Sequence, residues 1–200
     1  MTIFYRLGQK LYVNITNACP CACVFCIREY ADGVGSGSSL WLEREPTFDE
    51  IKSAFETRKD LDEIDEIVFC GFGEPMERAS DVVEICKFIK AASPRFIPIR
   101  INTNGLVRLI APAFDISALA VVDSVSVSLN SDDPQEYMRL VNPRFGIESY
   151  QAMIDFAVAA KDYTHVMFTV VDTLEPWRIE NCRVLADSLG IELRVRSFMP

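Results

Sequence analysis

The chain has 200 residues, half of them hydrophobic, and a formal net charge of −9 from 29 acidic and 20 basic side chains. It is long enough for one domain with a sizeable core, residues 1–200, and too apolar for a disordered polymer. The basic residues are scattered, with only small clusters at Arg58-Lys59 and Arg194/Arg196, which argues against nucleic-acid binding. The most apolar stretch, Ala118–Leu129, is broken by Asp123 and three serines and is too short to span a bilayer.

Six segments read as buried strands: Lys10–Ile15, Glu66–Cys70, Ile97–Asn102, Ser124–Leu129, His165–Val171 and Glu192–Ser197. Most are short, rich in Val and Ile, and bounded by Gly, Pro, Asn or Asp. Helical patterns lie between them. Thr47-Phe48-Asp49-Glu50 is a capping-box signature that opens a helix running to about Lys59. Val82, Ile85, Cys86 and Ile89 form one apolar helix face, and Tyr150, Ile154, Ala157 and Val158 another. Ile179, Cys182, Ala186 and Leu189 form a third, closed by Gly190. Strand and helix alternate six times, so parallel βα units are expected. An open, incomplete barrel and a flat doubly wound sheet both fit that count.

The polar motifs favour the barrel, because each follows a strand directly. The cysteine run Cys19-Pro20-Cys21-Ala22-Cys23-Val24-Phe25-Cys26 follows the first strand, and Gly71-Phe72-Gly73-Glu74-Pro75 the second. Thr103-Asn104-Gly105, Asn130-Ser131-Asp132-Asp133 and Asp172-Thr173 follow the next three. Active sites of βα folds lie at this C-terminal rim.

Seven cysteines and no signal-like apolar run in Met1–Lys10 imply a reducing, cytoplasmic setting with thiols or metal ligands rather than disulfides. Cys19, Cys23 and Cys26 follow C-x3-C-x2-C, which supplies three thiolates on one tight loop. Three soft ligands suit an iron–sulfur cluster with one iron free of protein. The alternative is zinc, with Cys21 or the single histidine, His165, as fourth ligand. Cys21 is expected to point away. Cys70, Cys86 and Cys182 read as core thiols, and His165 as a structural histidine.

With the GEP turn and six βα units, the cysteine motif resembles the radical S-adenosylmethionine (SAM) superfamily. The Cys26-Ile27-Arg28 continuation and the loop ending in Leu40-Trp41-Leu42 are most similar to the short TatD nuclease-associated members. The resemblance implies an α/β fold: a partial (βα)6 TIM-like barrel of parallel strands, open on one side. It implies an enzyme whose 4Fe–4S cluster, held by Cys19, Cys23 and Cys26, cleaves S-adenosyl-L-methionine to methionine and a 5′-deoxyadenosyl radical. That radical takes hydrogen from a protein, peptide or small-molecule substrate. Phe25 would pack near the adenine, or serve only as a core aromatic. Gly71, Phe72, Gly73 and Glu74 would wrap the methionine amino group, so that a branched residue at Gly73 removes S-adenosyl-L-methionine and leaves the cluster. Asn102, Asn104, Ser126, Ser128 and Asn130 match positions that bind ribose hydroxyls and the methionine carboxylate, although turns and caps explain Asn104 and Asn130 equally well. An electron donor such as flavodoxin or ferredoxin is implied, and no membrane. Rival readings are a glycyl-radical enzyme activase and a non-catalytic iron–sulfur or zinc module.

Three further features stand apart. Gly33–Ser39 reads as a mobile flap anchored by Trp41, or as a plain insertion. Arg194 and Arg196 share a strand face and either anchor an anion inside the barrel or line a solvated edge. The first and last strands, Lys10–Ile15 and Glu192–Ser197, are expected to be the sheet's edges, with the apolar residues of Met1–Gln9 shielding one.

Overall fold

The computed structural model describes residues 1–34 and 39–198. Seven strands form one sheet in chain order: β1 (Phe4–Leu7), β2 (Lys10–Val13), β3 (Glu66–Phe69), β4 (Ile99–Thr103), β5 (Ser124–Ser128), β6 (His165–Val171) and β7 (Glu192–Arg196). From β2 onward every pairing is parallel. The expected open, parallel α/β sheet is borne out, with one strand more than the six expected.

The extra strand is β1, which pairs antiparallel with β2 in the register Leu7↔Lys10. Gly8 takes a φ of +58°, which a two-residue hairpin turn favours. The N-terminal segment therefore does shield an edge, by adding a strand to it. Phe4–Leu7 and Glu192–Arg196 are the lateral edges, and Lys10–Val13 is interior.

Strand alternation sorts the side chains onto two faces. Leu11, Val13, Ile67, Phe69, Ile99, Ile101, Val125, Val127, Phe168 and Val170 belong to the core under the helices. Loss of one such side chain, as in Ile67→Ala, costs about 2–5 kcal/mol. The opposite, concave face carries Tyr12, Arg100, Asn102, Ser126, Ser128, Thr169, Arg194 and Arg196. Few apolar groups lie there, so this face forms a polar lumen rather than a second core.

Among the described residues, six α-helices cover the outer face: α1 (Phe48–Glu56), α2 (Ala79–Ala92), α3 (Val107–Ile110), α4 (Pro134–Val141), α5 (Glu148–Ala160) and α6 (Pro176–Ser188). Thr47 caps α1 through the expected reciprocal box with Glu50. Val82, Ile85, Cys86 and Ile89 of α2 are fully buried. On α5 the expected stripe is off by a turn edge. Val158 is exposed, and the buried face runs through Met153, Phe156, Ala157 and Ala160. Gly190 follows α6 with a φ of +62°, the left-handed angle of a helix-ending glycine. Cys86 and Cys182 are buried, and burial pushes each thiol up to about 12. Among the described residues, no helix is long and apolar enough to cross a membrane.

Candidate active site

The cysteine loop leaves β2 and is pinned from two sides. On one side the backbone N–H groups of Ala22 and Val24 donate to the carbonyls of Val141 (3.1 Å) and Leu140 (2.9 Å), and Arg144 N donates to Pro20 O (2.8 Å). Cys21 also forms a β-bridge to Pro143. The C-terminal end of α4 is thus the loop's seat. Its signal lay in the sequence as Asn142-Pro143: Asn142 ends α4 at a φ of +44°, and proline then forbids continuation.

On the other side the loop meets the turn after β3. Glu74 N donates to Ala18 O at 2.8 Å. The Glu74 side chain, 4% exposed, accepts from Met76 N (3.0 Å) and Asn104 N (2.7 Å). Burial pushes its carboxyl up to about 7 against the pull of those two N–H donors. The carboxylate therefore ties the rims of β3 and β4 together.

The segment after the glycine-rich loop is laid alongside. Asn14 Nδ2 donates to Leu40 O (2.8 Å), while Asn17 exchanges bonds with Leu42, giving to its carbonyl (2.7 Å) and taking from its N–H (3.1 Å). Trp41 stands edge-on to Phe72 with ring centroids 5.0 Å apart. Phe72 is buried with Tyr5 and Leu40, so its ring faces a small apolar cluster beside the β1 edge rather than the cysteines. The ends of the glycine-rich loop meet through Leu40 N and Asp32 O at 2.7 Å. Residues 35–38, on which the expected flap rests, lie outside the described residues.

Cys19, Cys21 and Cys23 face one another. The Cys21 thiol is buried beside Cys19 and Cys23. It does not point away as expected, because the bridge to Pro143 fixes its backbone on the inner side of the loop. Donation from Cys21 lowers the Cys19 thiol to about 6, against burial. Cys26, at the start of a single 3-10 turn (Ile27–Glu29), is raised by burial. Arg28 Nη2 holds the Cys21 carbonyl at 3.2 Å. His165 is exposed at the start of β6, at the sheet end opposite the loop, and lies 4.0 Å from Glu192. It is no ligand for these thiols.

The remaining expected residues fall into three groups. Phe25 and Asn130 line one cavity of ≈ 180 Å³ at the C-terminal rim, with Leu140, Val171, Thr173 and Arg178. Asn102, Ser126 and Ser128 share the concave face below it. Asn102 accepts from Arg100 and faces Cys70. Asn104 is used locally: its Oδ1 accepts from Leu106 N (2.9 Å) and its Nδ2 reaches Cys21 Sγ (3.6 Å). Cys70 is not in the hydrophobic core, contrary to expectation, since it is half-buried on the lumen side near Asn102 and Arg196.

A model described as the Radical SAM superfamily matches residues 13–181. The chain belongs to the radical SAM superfamily. Among curated relatives, the Probable GTP 3′,8-cyclase of Thermococcus kodakarensis is 32% identical over 162 residues, covering 80% of this chain and 46% of that protein. The GTP 3′,8-cyclase of Pseudomonas syringae pv. syringae is 34% identical over 142 residues, covering 70% and 39%. The chain thus spans less than half the length of these cyclases. Among solved structures, native anSMEcpe with bound AdoMet aligns with a TM-score of 0.67 at 14% identity, over 94% of this chain and 50% of that one. The FeFe-hydrogenase maturase HydG from Carboxydothermus hydrogenoformans aligns with a TM-score of 0.61 at 14% identity, over 96% and 44%. Both share the fold.

Members of the superfamily bind a 4Fe–4S cluster and S-adenosyl-L-methionine. The residues here fit that pair. Three soft thiols lie on one loop, with Cys19 acidified. The Tyr137 hydroxyl is buried, faces Cys21, Cys23 and Cys19, and has no partner. Among the described residues, the carbonyls of Gly71, Phe72 and Gly73 accept no hydrogen bond, which leaves them open to an ammonium. A Cβ on Gly71 would meet the Asn14 side chain, and one on Gly73 the carbonyls of Thr16 and Ala18. These glycines therefore admit the preceding strand end and the cysteine loop. A branched residue at Gly73 would displace the entry to the cysteine loop itself.

Proposed function

We propose that residues 1–200 act as one radical SAM domain that generates a 5′-deoxyadenosyl radical to abstract hydrogen from a protein, peptide or small-molecule substrate. The observation that carries this reading is the contact between two motifs. The C-x3-C-x2-C loop lies directly against a turn whose three carbonyls are free. When bound, the cluster supplies the electron that cleaves S-adenosyl-L-methionine to methionine and the radical.

The chain's own residues do the positioning. Cys19, Cys23 and Cys26 hold the cluster, leaving Cys21 to buttress the loop. The carbonyls of Gly71–Gly73 receive the methionine ammonium, and Glu74 keeps their turn in place. Asn102, Ser126 and Ser128 offer hydroxyl and amide groups to the ribose and carboxylate. Phe25 and Asn130 form the walls of the adenine cavity and exclude water. A cytoplasmic setting and a donor such as flavodoxin or ferredoxin go with this chemistry.

The short TatD nuclease-associated group is the subfamily we favour. Arg28 clamps the Cys21 carbonyl, and Leu40 and Leu42 are tied to Asn14 and Asn17. Its distinguishing residues thereby have work to do beside the thiols. A second reading, GTP cyclisation, is supported by the 32–34% identity to the cyclases.

Anaerobic reconstitution with iron and sulfide, then dithionite and S-adenosyl-L-methionine, tests the proposal. Formation of 5′-deoxyadenosine is expected, and its absence from a fully loaded protein overturns the reading. Adding GTP separates the second reading, which requires a cyclised nucleotide product.

A further inference from the structure

The lumen carries more positive charge than its own residues neutralise. Lys10, Arg100, Arg194 and Arg196 stand on the concave face, against Glu66 and Glu192. Glu66 is engaged twice, by Lys10 Nζ at 2.6 Å and by Arg100 Nε at 2.8 Å. Glu192 lies beside His165 at the far end. Among the described residues, Arg194 and Arg196 have no carboxylate partner.

Arg196 is the more demanding of the two. Its Nε is buried without a hydrogen-bond partner. The Cys70 thiol, the Arg100 and Arg194 guanidiniums and the Tyr12 phenol are the groups that act on its charge. Those groups sit on β2, β4 and β7 and directly after β3. Burial, with Arg100 and Arg194 beside it, lowers its affinity for its proton despite the opposing pull of Cys70. A half-buried guanidinium with two cations beside it and no carboxylate partner is costly unless an anion joins them. A guanidinium fork, unlike an ammonium, also matches the two oxygens of a carboxylate or phosphate.

We infer that Arg196, with Arg194 beside it, forms an oxyanion subsite in the lumen that takes a carboxylate or phosphate group of the substrate. This rests on the radical SAM reading and names the substrate's class: a molecule with one anionic end directed at β7. Arg196 enters from the last strand, whereas the cysteine loop and the Gly71–Glu74 turn follow β2 and β3. The anionic end is therefore anchored away from the groups assigned to S-adenosyl-L-methionine.

The test is calorimetric titration of the reconstituted protein with inorganic phosphate and, separately, acetate, in a low-salt buffer free of both. Saturable binding of at least one is expected, and the stronger of the two identifies the substrate's group. Arg196→Gln should weaken it about tenfold, and Arg196→Lys, which keeps the charge but loses the fork, by a smaller factor. Arg183→Gln, on the exposed side of α6, should match the parent. Iron content and S-adenosyl-L-methionine affinity should stay unchanged in all three. If Arg196→Gln fails to fold, the Arg196→Lys series carries the comparison. Absence of saturable binding in the parent overturns the inference, as does equal binding by the parent and the Arg196 variants. A loss of S-adenosyl-L-methionine affinity with unchanged anion binding also overturns it, since the guanidinium would then serve the cofactor. The 5′-deoxyadenosine assay needs no added substrate. A failure of the radical reading therefore shows there, while anion binding reports on Arg196 alone.

Discussion

A methyl group on Gly73 would lie 2.3 Å from the carbonyl oxygen of Thr16. The Ala18 carbonyl, at 2.6 Å, closes the other side. Both obstacles are backbone, so no side-chain rotation relieves the contact. The turn after β3 and the entry to the cysteine loop are packed main chain to main chain at this point.

Gly73→Val should therefore lower iron incorporation severalfold and destabilise the fold by at least about 1–3 kcal/mol. Iron and sulfide content after reconstitution, read beside a urea melt, checks both. A variant with full iron content and lost S-adenosyl-L-methionine binding would contradict the packing argument.

Glu66 gives a pH dependence. Burial raises its carboxyl, but hydrogen bonds from Arg100 and Lys10 outweigh this and hold it near about 2, below the usual 4.5. A depressed folded-state value means the stabilisation is complete above pH 4.5 and is lost as the pH falls toward 2. Glu66→Gln should cost about 1–3 kcal/mol at pH 7, because Arg100 is left buried without its partner. Urea unfolding of the two proteins between pH 7 and pH 3 should show their difference shrinking below pH 4.5.

Tyr137→Phe should stabilise the metal-free protein by about 1 kcal/mol, since it deletes a buried hydroxyl that has no partner. In the reconstituted protein the gain should vanish, because the hydroxyl then has cluster sulfur to donate to. Thermal melts of both forms decide this. A gain that persists after reconstitution would mean the hydroxyl does not address the cluster.

Single alanine substitutions of Cys19, Cys23 and Cys26 should each abolish cluster absorbance. Cys21→Ala should retain the cluster while weakening the loop's seat against Pro143. Equal loss of the cluster in all four would make Cys21 a ligand and return the metal assignment to question.

Regular local patterns carried most of the fold in readable form. The β2 to β7 strands, the Thr47 capping box and the Gly190 terminus all rest on residues close in sequence. β1 was harder to see, because Phe4–Leu7 is too short to alternate convincingly and its partner is revealed only by the Gly8 turn. Val158 fell on the wrong side because α5 buries a stripe set by its neighbours and not by its own periodicity. The C-x3-C-x2-C loop and its place after a strand were legible from spacing alone. The inward turn of Cys21 was not, since Pro143, far along the chain, causes it. Cys70 illustrates the same limit: an apolar strand end reads as core unless one knows that the alternate face is a polar lumen.

The sheet's spatial order is identical to the order of synthesis. No strand is inserted between two made earlier, so each one emerging from the ribosome meets an edge that is already formed. The cysteine loop receives its last backbone partner at Arg144, before β6 and β7 exist. The backbone bonds that seat the cysteine loop are thus complete ahead of the strand that carries Arg196. Seating of the cysteine loop and completion of the lumen are therefore separable in the order of synthesis.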